Sequence, residues 1–462
     1  MAAAKGERGR EGANQFHLWK LRPRSVSLFD SAPWPCNPYI RRKFLEVGVA
    51  RTDASVLGAG IVGTSVALHL AKRGVSVALV DHAGVGEQTS YGNAGIIEGN
   101  TIFPPTFPTH ADALLRIALK RASEANYHLS FLPHVAPWLL AFRAASRPDR
   151  LIETARLIRP LFSHAVSEHE ALMAESGATH YLRKTGWLKV YRGERSFAEL
   201  APEFDLAAKF GLPLNALDTA GAQELEPSLN PVFAKAVFWP EAASISNPLG
   251  VTRAYAARFA ALGGVLVAGD ARSLHRTGDR WRVDTAEGAL DAQECVVALG
   301  PWAMDLLEGL GLRLPLAVKR GYHRHFRPQR NASLSRPVLD ADVGYLITPM
   351  EQGMRITTGA EFAPRDAPPT PAQFLRIVPR ARELVPLGEQ ADGRTWLGSR
   401  PCFPDSRPII GRAPGHAGLW LAIGHAHWGL TLGPATGHMI ALMMAGETPL
   451  CDPTPYRAER FG

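Results

Sequence analysis

The sequence predicts an α/β protein in which a nucleotide-binding domain is interrupted by a second domain and then resumed, and three observations lead there. A short apolar strand, Ala54-Ser55-Val56-Leu57, runs into a glycine turn and an amphipathic helix; a second apolar strand, Val75 to Val80, follows and stops at Asp81. Far along the chain a buried-strand pattern returns at Cys295-Val296-Val297-Ala298-Leu299-Gly300. Between them lie helical stretches over about 110–175 and a strand-rich section, the pattern of an insertion.

The 462 residues, 46% of them hydrophobic, suffice for two domains that share a cleft. No run of 18 uncharged apolar residues occurs, so a transmembrane helix is not expected, while peripheral contact with a membrane stays open. Cys36, Cys295, Cys402 and Cys451 are far apart and form no CxxC pair, which argues against a disulfide framework, a zinc site or a dithiol redox centre. A cytoplasmic setting, with contact at the inner face of the membrane left open, fits that pattern. Residues 1–53 hold ten Lys/Arg against five acids and so carry +5 of the formal +8 charge. The remainder is only mildly basic and lacks aromatic-basic interleaving, so no nucleic-acid partner is expected. Residues 1–53 read as an irregular basic extension. They have no apolar core for a secretory signal, and their acids count against a transit peptide; a functional tail and a mis-assigned start both remain open.

The βαβ opening contains Gly58-Ala59-Gly60-Ile61-Val62-Gly63, a GxGxxG fingerprint. Its context carries more than its spacing: it follows a strand, opens a helix with Val62, Val66 and Leu70 on one face, and precedes Asp81 by 23 residues from Gly58. Gly58 makes the tight turn, Gly60 admits the pyrophosphate to the backbone, and Gly63 lets helix and strand pack closely. The positive end of the helix, at Ile61 and Val62, faces the phosphates, and Asp81 accepts from the ribose hydroxyls. This is a Rossmann-type site. Whether it holds NAD or FAD is not decided by the fingerprint. The next segment, Glu87-Gln88-Thr89-Ser90-Tyr91-Gly92-Asn93-Ala94-Gly95-Ile96-Ile97, is small and polar, as suits a loop approaching a second extended part of a cofactor, and equally an ordinary surface loop.

The remaining elements follow in order. Pro137-Trp138-Leu139-Leu140-Ala141-Phe142 is an apolar helical stretch, and Gly186 to Tyr191 is strand-like. An Ala-rich helix over about 249–262 precedes the strands Gly264 to Val267 and Trp281 to Asp284. Residues 316–362 read as strands and 371–386 as a helix. The last hundred residues read as strands, a glycine loop and one closing helix. The loop, Gly424-His425-Ala426-His427-Trp428-Gly429-Leu430-Thr431-Leu432-Gly433-Pro434-Ala435-Thr436-Gly437, puts glycines ahead of a helix whose positive end would stabilise negative charge on a reduced cofactor.

The fingerprint, the Thr-Ser…Asn-Ala-Gly loop and this terminus together resemble the D-amino acid oxidase and dehydrogenase family of flavoproteins over about residues 54–461, with patterns closest to bacterial D-amino-acid dehydrogenase and glycine oxidase. The resemblance implies FAD, a discontinuous Rossmann-type FAD-binding domain and a substrate domain with a mixed sheet. It divides the chain into FAD-binding segments 54–130, 241–315 and 393–462 and substrate-domain segments 131–240 and 316–392. By similarity Gly58, Gly60, Gly63 and Asp81 hold the ADP half, and Thr89 and Ser90 lie near the pyrophosphate. Asn93, Ala94 and Gly95 pass beside the isoalloxazine. Arg272 lies where backbone atoms hold adenine, and Gly300 and Trp302 lie in a second nucleotide contact. Gly429, Leu430 and Thr431 approach the flavin.

Gly398-Ser399-Arg400-Pro401 resembles the family's Gly-x-Arg-Pro element, whose arginine pairs with the substrate carboxylate; a guanidinium offers two parallel donors for that task, although most arginines lie on surfaces. Tyr345, 55 residues earlier, matches a tyrosine that helps hold the carboxylate, or is a strand aromatic packed in a core. His427-Trp428 departs from the relatives, which puts substrate identity in question and makes His427 a candidate catalytic residue. His323 and His325 look like a metal pair but show no third ligand at sensible spacing; they are taken as polar strand positions, and no metal is expected.

The implied activity is oxidation of a small amino acid, foremost a D-amino acid, to a 2-oxo acid and ammonia, with oxygen or a quinone-type carrier as electron acceptor. A glycine or sarcosine oxidase and a hydroxyproline-type dehydrogenase are alternatives in the same cleft. A NAD-dependent dehydrogenase and a non-catalytic FAD-binding subunit of a heteromer are alternatives of other classes. Oligomeric state is not readable.

Overall fold

Two large sheets organise residues 49–99 and 104–462, which the computed structural model of the chain describes. Of the basic extension, residues 1–48 lie outside the described residues. The first sheet runs Val265–Thr277, Val77–Asp81, Val49–Leu57, Gly288–Val297 and Leu419–Ile423, all neighbours parallel, with Ile409–Arg412 antiparallel at one edge. Arg280–Thr285 pairs antiparallel with the far half of Val265–Thr277 and with the start of Gly288–Val297. The opening strand begins at Val49 rather than at Ala54, because Val49 to Thr52 pair with Ala289 to Ala292, a partner no local pattern discloses. Its central residues are buried on both faces, as are Val77 to Val80 at 1% exposure or less, which is why these strands read as continuous apolar runs.

One face of this sheet carries the fingerprint helix, Ile61–Lys72, against the closing helix, Gly429–Met444, and the Pro248–Ala261 helix. Side chains such as Val66, Leu68, Val251, Phe259, Leu432 and Ile440 are at most 1% exposed there, and each contributes roughly 1.5–3 kcal/mol by leaving water. The fingerprint, the return at Cys295 and the closing helix, separated by hundreds of residues, thus form one layered unit.

The second sheet is mixed, as expected. Its order is Ala125–Tyr127, Ala360–Phe362, Ala317–Pro328, Gly353–Thr357, Tyr345–Met350, Val338–Asp340, Trp187–Tyr191, Lys235–Trp239 and Asn215–Asp218. Trp396–Cys402 and Leu387–Gln390 also pair with Ala317–Pro328. Val338–Asp340 is parallel to Trp187–Tyr191, and Ala360–Phe362 to Ala125–Tyr127; the other pairs are antiparallel. Alternation divides its two faces. Tyr322, Phe326, Ile347 and Ile356 pack under the Phe374–Leu384 helix, while Lys319, Gly321, His323, Thr357, Gly398 and Arg400 face the other way, toward the 89–95 loop and the closing helix.

Candidate active site

The glycine turn brings the nucleotide candidates to the carboxyl ends of the parallel strands. Gly58 has φ 103°, and a Cβ there would stand 2.5 Å from the Ala298 carbonyl oxygen; a Cβ on Gly63 would stand 1.9 Å from the Gly58 carbonyl oxygen. Only glycine fits either position. The Asp81 carboxylate accepts from the backbone N–H groups of Ala59 (2.7 Å), Ala83 (2.7 Å) and Gly84 (3.1 Å), so it knits the turn to the strand end. The fingerprint helix has no acid in its first turn and no side-chain cap at Gly60; the Ser90 hydroxyl oxygen accepts from the Ile61 N–H at 2.9 Å. Gly300 and Trp302 form a short 3-10 turn just past Val297, and the Trp302 ring meets the His82 ring edge-on at 6.4 Å. Arg272 sits at the register break of its strand, with both its guanidinium and its backbone N–H donating to the Asp270 carboxylate.

The 89–95 loop is no ordinary surface loop. Thr89 donates to the Ser399 carbonyl at 3.0 Å, Asn93 donates to the His427 carbonyl at 3.2 Å, and the Asn93 oxygen accepts from the Gly95 N–H at 2.8 Å. Arg355, which the sequence reading missed, donates to the carbonyl oxygens of Tyr91 (3.2 Å) and Asn93 (2.6 Å) from beneath. The Trp396 indole lies against Gly92 and Gly398, where side chains would collide with it. The clue to Arg355 was a lone charge in the apolar strand Gly353–Thr357.

His323 and His325 are strand positions, as expected, and are buried at 1% and 0% exposure. The fold supplies the third group that spacing did not: Asp392 joins them within 4.8 Å. Both nitrogens of His325 are engaged, however: Nδ1 lies 2.9 Å from Asp392, and Nε2 accepts from the Arg355 Nε–H at 3.0 Å. His323 stacks on Trp396 at 4.7 Å. The cluster works as a support for Arg355.

Arg400 lies on the wall of a cavity of about 950 Å³, together with Thr89, Asn93, Ala94 and His427. Its guanidinium donates to the carbonyl oxygens of Thr358 and Gly359, both at 3.1 Å, and rests on Gly321, where a Cβ would come within 2.5 Å. Among the described residues no carboxylate pairs with it. Burial pulls its pKa down from the usual arginine value but leaves it a cation. His427 is held neutral, its pKa lowered to about 3 by burial first and then by Arg400 and Lys319. Lys319, absent from the sequence expectations, faces the same cavity. Tyr345 is different. It lines the same cavity as Arg400, yet it is 1% exposed and its ring packs with Ile347 and Ile356 in the core under the helix, the alternative its strand context offered.

The closing helix starts at Gly429 without a side-chain cap or a first-turn acid, Thr431 donates to the Ile96 carbonyl at 3.0 Å, and Leu430 is buried. Its positive end therefore adjoins the cavity wall at His427 and Trp428. The glycine turn, the uncapped helix end, Asp81 and the pinned 89–95 loop form a cradle that fits an extended dinucleotide such as FAD.

The buried histidines set a pH dependence. Burial lowers His169 to about 4, His323 to about 2 and His425 to about 3. These bases stay neutral in the fold and take protons near pH 6.5 when unfolded, so their contribution is complete above that pH and is lost below it. Each is expected to cost about 1 kcal/mol between pH 7 and 5.5. The urea midpoint should fall across that window; a flat profile would show that these rings are protonated within the fold.

Residues 53–443 match the model of the DAO family, described as FAD dependent oxidoreductase. A D-amino-acid oxidase of Bradyrhizobium diazoefficiens is 27% identical over 418 residues, covering 88% of this chain and 98% of the relative. A D-amino acid dehydrogenase of Paramagnetospirillum magneticum is 31% identical with the same coverage of each chain. Among solved structures, a glycine oxidase of Geobacillus kaustophilus superposes with a TM-score of 0.69 at 24% identity, over 88% of this chain and 98% of that one, and so shares the fold.

Proposed function

The chain belongs to the DAO family of FAD-dependent oxidoreductases, and from that premise we propose that it oxidises the C–N bond of a D-amino acid, releasing a 2-oxo acid and ammonia. The observation that carries the reading is Arg400: a guanidinium facing the cavity beside Asn93 and His427, with two donors spent on backbone carbonyls and no carboxylate partner among the described residues. Such a group is poised for a substrate carboxylate, and its carbonyl contacts fix the direction in which its remaining N–H groups point.

When bound, FAD supplies the acceptor for the hydride that leaves Cα. Arg400 holds the carboxylate and thereby sets where Cα sits. Burial, Arg400 and Lys319 disfavour a protonated His427, so it is not assigned the role of base, and the substrate amine reacts uncharged, a state that the same cations favour. Loss of hydride from Cα, assisted by the neutral amine, leaves an iminium, which water hydrolyses to the 2-oxo acid and ammonium. The positive end of the closing helix, at Gly429 to Thr431, favours negative charge gathering on that side of the cavity. Arg272, Gly300 and Trp302 are assigned to the adenosine end, with Asp81 beside the ribose. Oxygen or a quinone-type carrier completes the cycle.

The test is an anaerobic absorbance titration of the FAD-loaded protein with D- and L-amino acids, glycine, sarcosine and prolines. Bleaching by D-amino acids ahead of the others is expected. Bleaching only by glycine, sarcosine or a proline would move the substrate to one of those classes, and a flavin band that none of them bleaches would overturn the proposed oxidation.

A further inference from the structure

Arg400 does not stand alone in its cavity. Lys319 is its direct cross-strand partner, so both side chains leave the sheet on the same face. The adjacent Arg320 leaves by the other face, where it pairs with Glu361 at 3.1 Å in full burial. Lys319 has no such partner: its ammonium lies 4.8 Å from the Trp138 ring centre and 4.1 Å from that of Phe142. The three acids on the cavity wall are engaged elsewhere. Glu203 lies 3.5 Å from the Lys189 ammonium; Glu124 accepts from the Ser123 N–H and sits 3.5 Å from Arg116; Glu98 accepts from the Trp428 indole at 3.4 Å and lies 3.8 Å from His427. Among the described residues no carboxylate pairs with Lys319 or with Arg400. Two basic side chains thus share one wall with no carboxylate beside them among the described residues, and burial together with the neighbouring guanidinium disfavours the charged lysine, so that its pKa is lowered until an anion joins it. Two aromatic faces make the ammonium tolerable without giving it a counter-ion.

We propose that the cavity selects amino acids bearing a second carboxylate, on the side chain or on a nitrogen substituent, and that Lys319 is the specificity-determining residue for that second group. The inference rests on Arg400 receiving the α-carboxylate. A dianion would neutralise both cations, whereas an amide or alkyl counterpart of the same shape would leave the lysine desolvated and uncompensated.

The native FAD-loaded protein is titrated anaerobically with both enantiomers of aspartate and glutamate, with iminodiacetate, and with asparagine, glutamine and sarcosine as their uncharged counterparts. The acids are expected to reduce the flavin with a rate-to-Kd ratio on the order of tenfold above the counterparts. Lys319→Met should bring that preference close to one, and Lys319→Arg should restore it. Aspartate and glutamate set against iminodiacetate separate the two sources of the second carboxylate.

A second readout needs no turnover: perturbation of the flavin band by succinate and glutarate against propionate and butyrate, in native protein and in Lys319→Met. Tighter dicarboxylate binding that depends on Lys319 supports the inference even if no amino acid bleaches the flavin, an outcome that would sink the oxidation reading alone. Equal binding of mono- and dicarboxylates, or a preference that survives Lys319→Met in both readouts, overturns the inference whatever the oxidation assay gives.

Discussion

Replacing Arg400 by alanine is expected to lower kcat/KM for amino-acid-dependent flavin reduction by on the order of 100- to 1000-fold. The substitution removes a charge-assisted fork from a desolvated site, a loss of about 3–4 kcal/mol, and each 1.4 kcal/mol is tenfold. Arg400→Lys keeps the charge but not the fork, and should recover only part of the loss. Because Arg400 also donates to the carbonyls of Thr358 and Gly359, the alanine variant's thermal midpoint and FAD content must be measured alongside. Unchanged kinetics in a folded, FAD-loaded variant would take Arg400 out of the site.

Gly63→Val should be more damaging still, and at a different step. The new Cβ would lie 1.9 Å from the Gly58 carbonyl oxygen and 3.1 Å from the Ala298 side chain, so the helix could not stay on the strand. Backbone has to move, at a cost of roughly 3 kcal/mol or more. FAD affinity is expected to fall at least about 100-fold as the helix end leaves its place, together with a lower thermal midpoint. Gly60→Ala makes the useful contrast. Its Cβ would meet only the Ser90 hydroxyl, at 3.1 Å, so stability should change little while FAD affinity drops, because the methyl group enters the phosphate's approach. If Gly63→Val kept both FAD and thermal midpoint, close helix-strand packing would not be the reason for that glycine.

Much of the fold could be read because its signals are local. The strand-turn-helix run from Ala54, the acid at Asp81 and the glycine-rich start of the closing helix are short patterns whose geometry follows from backbone sterics alone. The same holds for the helix at 374–384, within the expected range, and in part for the strand expected over Cys295 to Gly300, which runs from Gly288 to Val297. The first boundary was misjudged because Val49 to Thr52 acquire their strand character from Ala289 to Ala292, far away in sequence.

The candidate site divides along the same line. Arg400 is singled out by a motif, and it lies on the cavity wall. Tyr345 lines the same cavity, and because side-chain direction alternates along a strand its ring also packs in the core under the helix, which no local pattern discloses. Arg355 and Lys319 stayed hidden because a cation in a strand reads as a solvated position until the sheet shows which face it occupies.

By itself the sequence determined the Rossmann-type opening, the later return to its parallel sheet and the glycines of the tight turn, since these depend on periodicity and on where a Cβ is forbidden. Only the tertiary structure decided which charges share a cavity, which have a counter-ion and how deeply Tyr345 is packed. Those properties are set by cross-strand register and by contacts between residues tens to hundreds of positions apart.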